Sequence, residues 1–105
     1  MGSIRRGTTP THTFNTNIDL TGSKVFITYT QKGQTVLEKT NDEVMIYDDH
    51  IDVTLSQTDT LSFNRSSIVS MQIRYVTDKG KAGASNIMTA SVGELLKEGE
   101  IEYDI

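Results

Sequence analysis

The chain has no cysteine, no tryptophan and a single proline among 105 residues. Without Cys there is neither a disulfide nor a thiolate metal site, and the redox compartment is left open. No apolar run is long enough to cross a bilayer as a helix. The first ten residues, MGSIRRGTTP, carry charge but no apolar core of a secretory signal. Positive charge is in short supply: 10 Lys and Arg stand against 14 Asp and Glu, a net charge of −4. Phosphate contacts need clustered Lys and Arg, so nucleic acid is not expected as the main partner. The length sets one domain. Folding at this size removes roughly 11,000 Å² from water, about 65% of the unfolded surface, enough for one thin core. A deep cleft between two domains is excluded.

What is present is Thr, Ser and β-branched residues in short alternating runs, the pattern of half-buried strands. THTF (11–14) reads as a short first strand after a loose polar arm, 1–9. KVFITYTQ (24–31) puts Val25, Ile27 and Tyr29 on one face, turns at Gly33 and returns as TVLEKT (35–40). VMIY (44–47) and IDVTLS (51–56) flank a further turn. Ser56 with Asp59 forms a helix-start signature for one helical turn over 56–62. IVSMQIRYVT (68–77) aligns Val69, Met71, Ile73 and Tyr75. After a turn at Gly80 comes AGASNIMTASV (82–92), with Gly83 and Asn86 as bulge candidates. GELLKEG (93–99) predicts a short C-terminal helix ending at Gly99. The sum is an all-β, antiparallel two-sheet sandwich of about seven strands over 10–99, with a small barrel as the alternative.

Few residues suggest chemistry. In YDDHID (47–52), Asp49, His50 and Asp52 are the candidate metal ligands. The stronger reading is a hairpin tip, because Asp is favoured where side chains bond nearby turn backbone. His12 shares a face with Phe14 and is expected to be a structural histidine, with no nucleophile or orienting acid beside it. No nucleophile-elbow pattern occurs. The expectation is a protein that is not an enzyme, with no cofactor and no resident metal. The termini are the candidate partner contacts: Arg5, Arg6 and Thr8 in the first arm, and Ile101, Tyr103 and Ile105 in EIEYDI (100–105). That last segment alternates acids with apolar residues, as an added edge strand does.

Several stretches also resemble a known family. Arg6-Gly7-Thr8-Thr9-Pro10-Thr11, the segment from Leu55-Ser56-Gln57 to Phe63, and Ser85-Asn86 with Ser91-Val92-Gly93-Glu94 are similar to small proteins encoded by tailed phages and prophages of Firmicutes and gut bacteria. The likeness runs over nearly the whole chain, apart from NTNIDLTG (15–22), where the family segment is more apolar. It implies a phage-derived β-sandwich, similar in general plan to the immunoglobulin-like domains of phage baseplate and tail proteins, and carries no catalytic or ligand residues. The expected function is a structural or interaction protein of the tail or baseplate, located in the virion or in host cytoplasm during assembly. Its expected partners are other phage structural proteins or copies of itself, with no membrane. The alternative is a carbohydrate- or cell-surface-binding module, which the scarcity of aromatics disfavours.

Overall fold

The structure, a computed structural model, describes residues 2–105. Among the described residues nine strands form two sheets: β1 (Ser3–Arg5), β2 (Thr11–Asn15), β3 (Lys24–Gln31), β4 (Gln34–Thr40), β5 (Val44–Ile46), β6 (His50–Thr54), β7 (Val69–Val76), β8 (Ala82–Ala84) and β9 (Met88–Gly93). The larger sheet runs β1-β9-β7-β3-β4, with β8 also on β7; the smaller runs β2-β6-β5. Alternation decides which residues go inside. Val25, Ile27 and Tyr29 of β3, Ile51 and Val53 of β6, and Val69, Met71 and Ile73 of β7 form the shared core. The two apolar faces have nowhere else to hide, so the sheets stack.

In this order β3, β7 and the β8–β9 edge occupy the places of strands C, F and G of the immunoglobulin plan, with β4 as the extra strand of the variable type. β2, β6 and β5 stand as B, E and D. The fold is therefore an immunoglobulin-like sandwich, as expected. The plan's hallmark disulfide and Trp are absent from the sequence. A run of rings crosses the core instead: His12 to Tyr29 at 5.8 Å and Tyr29 to Phe63 at 5.9 Å between centroids.

Turn chemistry follows the sequence. Lys32 and Gly33 both take positive φ, 51° and 75°, the geometry of a two-residue hairpin whose twist matches its strands. The α-helix found among the described residues, α1 (Gln57–Leu61), is capped as its residues foretell: Ser56 Oγ accepts from Asp59 N at 3.0 Å, and Ser56 N donates to the Asp59 carboxylate at 2.9 Å. Asp59 also pairs with Lys39 Nζ at 2.9 Å, tying α1 to β4. The last strand is interrupted at 85–87. Ser85 N donates to Ile73 O at 2.8 Å, while Ser85 Oγ accepts from Ile73 N and donates to Asn86 O, so backbone and side chain together carry the pairing into the break.

Gly83 lies opposite Tyr75, whose ring leans over it; a Cβ there would collide with that ring. Gly83→Ala is expected to cost about 1–3 kcal/mol by this overpacking, read as a lower urea midpoint with unchanged slope.

Two expectations about the ends are corrected. The arm at 1–9 is not loose where it is described: β1 lies parallel on β9, and Ile4 is buried in the core. Ile4 is its apolar anchor, and backbone bonds to β9 with the Arg5 and Arg6 side chains hold the rest. Met1, the first residue of that arm, lies outside the described residues. Nor do residues 93–99 form a C-terminal helix. Gly93 belongs to β9, Glu94 O accepts from Arg5 Nη1, and Glu98 pairs with Arg6. These contacts tie the segment to the arm before β2, and it continues as an irregular, bent stretch with Gly99 at positive φ.

Candidate functional site

The YDDHID segment is the tip of the β5–β6 hairpin, closed by a Tyr47 N to His50 O bond of 2.8 Å. Tyr47 and His50 stack with centroids 4.4 Å apart. Asp49 Oδ1 sits 2.5 Å from His50 Nδ1, while Asp52 Oδ2 lies 3.9 Å from Nε2. The two carboxylates thus flank opposite edges of the imidazole. Alternation also sends Asp52 across to Thr13, whose hydroxyl donates to it at 2.6 Å. Asp49, His50 and Asp52 come together but do not converge on one point, and no metal-ligand cluster occurs among the described residues.

His12 and Phe14 do share the inward face of β2 and are buried. His12 Nδ1 and the Tyr29 hydroxyl share a hydrogen bond of 2.8 Å. Burial holds the His12 imidazole below its ordinary value. Burial, reinforced by the charge of Asp59, raises the Tyr29 phenol well above its own. The pair is a buried core contact, and among the described residues no carboxylate hydrogen-bonds to it.

The terminal residues divide. Arg6 Nε donates to Phe63 O at 3.0 Å, Nη2 to Leu61 O at 3.3 Å, and Nη1 to Glu98 at 2.8 Å. Arg5 donates to Glu94 O, and Thr8 Oγ1 to Arg5 O. These three residues brace the α1 end of the sandwich internally. The C-terminal segment forms no strand with its own sheets. Its start is held on α1: the Gln57 amide accepts from the Ile101 N–H at 2.8 Å and donates to its carbonyl at 3.1 Å, and Thr58 Oγ1 donates to the Glu100 carboxylate at 2.6 Å. Ile101, Tyr103 and Ile105 remain 65%, 91% and 103% exposed.

One surface feature has no counterpart among the sequence candidates. A groove of about 920 Å³ opens between β2 with its following loop and the β7–β8–β9 edge. Phe14, Leu20, Ile73, Tyr75 and Met88 line it, with Thr11, Thr13, Asn15, Ser85 and Asn86 at its polar positions; no Asp, Glu, Lys or Arg does. Buried beside them, Thr16 Oγ1 has no hydrogen-bond partner. The legible signal was the absence of charge from Thr8 to Ile18; that β7 and β9 complete the groove depends on long-range pairing.

A scan against protein-family profiles found no match, nor did a search of curated proteins. Among solved structures the chain is similar to the V domain of amphioxus IgVJ-C2, at 11% identity and a TM-score of 0.36, over 89% of this chain and 99% of that one. A likeness at that level transfers no binding property; the immunoglobulin-like assignment rests on the strand order given above.

Proposed function

We propose that the chain is a non-enzymatic structural or interaction protein of a phage or prophage particle, associated with the tail or baseplate, working through protein–protein contacts. The observation that carries the interaction reading is the C-terminal segment: three large apolar side chains alternate with acids and stand in solvent, a costly arrangement for a small protein unless a partner covers it. The phage setting is supported by the resemblance of the Arg6–Thr11, Leu55–Phe63 and Ser91–Glu94 segments to small phage proteins. A carbohydrate-binding reading has less support, because Tyr75, the groove's partly exposed aromatic ring, leans onto Gly83 instead of presenting a stacking face.

Mass spectrometry of purified particles of a phage encoding this chain is expected to find it incorporated. Removing residues 100–105 is expected to leave the far-ultraviolet circular dichroism unchanged, since the segment contributes no ladder bonds, and to lower incorporation at least tenfold. Particles that lack the intact protein, or that take up the truncated chain equally, contradict the reading.

A further inference from the structure

We infer that the groove beside β2 is a strand-docking site, and that its occupant is the C-terminal segment 100–105 of a second copy of this chain. The inference rests on the interaction reading above and adds the place and the partner.

The first support is an open edge. In the immunoglobulin plan a strand A lies beside B; here β2 pairs with β6 alone among the described residues. Leu55 N bonds Pro10 O and Thr16 N bonds Asp49 O, both at 2.9 Å. Those bonds set the parity of the ladder. The even-numbered residues of β2 face β6 with their backbone groups, so Thr11, Thr13 and Asn15 aim N–H and C=O outward at the groove side. Edge strands are ordinarily blunted by charge or shortness, whereas this edge has five residues and no charge.

The second support is complementarity. A strand laid along that edge sends alternate side chains down to the groove floor and up to solvent. In EIEYDI, one parity is Ile101, Tyr103 and Ile105; the other is Glu100, Glu102 and Asp104. The floor of Phe14, Leu20, Ile73 and Met88 carries no ionised group. It takes the apolar set and rejects the acidic one, which fixes the strand's face.

The third support concerns the source. Within one chain the segment lies away from the groove: Glu100 and Ile101 are tethered to α1 by exposed hydrogen bonds that docking would exchange, and Tyr103 and Ile105 stand free. A second copy supplies the strand, and a two-fold exchange fills both grooves at once. Two strands and two grooves bring the contact toward the about 1,600 Å² of a stable complex.

The test uses the full chain. Light scattering over a concentration series is expected to show the wild-type mass rising from 11.7 kDa toward twice that value. Deletion of 100–105, and separately Thr13→Pro, which removes an outward N–H, are each expected to weaken the dimer at least tenfold. Thr13→Pro risks the fold of β2, so a crosslink provides the second measurement. With no native cysteine, Thr13→Cys and Glu102→Cys proteins are mixed and oxidised. A heterodimer should form, and should not form when Thr28→Cys replaces Thr13→Cys. A wild type that stays monomeric overturns the inference. So does a disulfide between these positions inside one monomeric chain carrying both substitutions, which would make the tail its own occupant. Dimers lost on tail deletion but never crosslinked at Thr13 overturn the β2 site and leave tail-mediated association standing. Absence from phage particles removes the proposed setting without touching the dimer result.

Discussion

Tyr29→Ala is expected to lose about 3–5 kcal/mol of stability, the cost of emptying a large aromatic site in a packed core. Tyr29 is fully buried and sits between His12 and Phe63, so its ring joins the two sheets and the exit of α1. Domains of this size have about 5–15 kcal/mol in total, and the variant is expected to be largely unfolded at 37 °C or close to it. Tyr29→Phe separates packing from polarity. It keeps the ring and removes the hydroxyl from His12 Nδ1, for an expected cost of about 1–3 kcal/mol from a buried group left unpaired. Both losses are read from urea midpoints.

The same pair sets a pH profile. The folded state holds His12 below its ordinary value of 6.5 through burial. Between the two values the unfolded chain binds more protons, so stability falls as pH drops below about 6.5. Tyr29 is held above its ordinary 10.0, by burial first and by Asp59 second. Its contribution is complete below about pH 10 and is lost as pH rises past that point, where only the unfolded phenol ionises. Unfolding midpoints measured from pH 5 to 11 should form a plateau that declines at both ends. His12→Phe should flatten the acid side; an unaltered acid limb would show that other groups cause it.

Gln31→Leu is expected to cost about 2–4 kcal/mol, because it strands several backbone groups at once. The Gln31 side chain, at the end of β3 and 8% exposed, donates from Nε2 to Asn64 O at 2.7 Å and Ser67 O at 3.0 Å. Its Oε1 accepts from Asn64 N at 2.8 Å. One amide thereby satisfies the loop that leads from α1 into β7. Leu matches its volume but offers none of these bonds. Amide exchange should rise first at Asn64 and its neighbours, ahead of the β3–β7 ladder. Uniform protection across the loop in the variant would contradict this role.

Gln31 also shows where a sequence stops speaking. Its parity on β3 is readable and places it inward after Val25, Ile27 and Tyr29. Which backbone it satisfies depends on a loop more than thirty positions away. The same holds for Arg6, which reads as half of an exposed basic pair and proves to be a brace for Phe63 O, Leu61 O and Glu98. The tail was legible as an alternating strand, but its own chain leaves it unpaired.

Local periodicity and turn chemistry determine what a residue's nearest neighbours can enforce. Side chains alternate across a strand by geometry, Lys32-Gly33 bends the chain back on itself, and Ser56 with Asp59 starts a helix in place. Hence the sandwich, its core faces and the hairpin tip at Asp48-Asp49 could be read from residue order. The parallel docking of β1 on β9, the open edge of β2 and the uncharged groove beside it could not. Each is made by segments far apart in the chain, and which of several compatible edges meet is decided only when all the apolar faces are buried together.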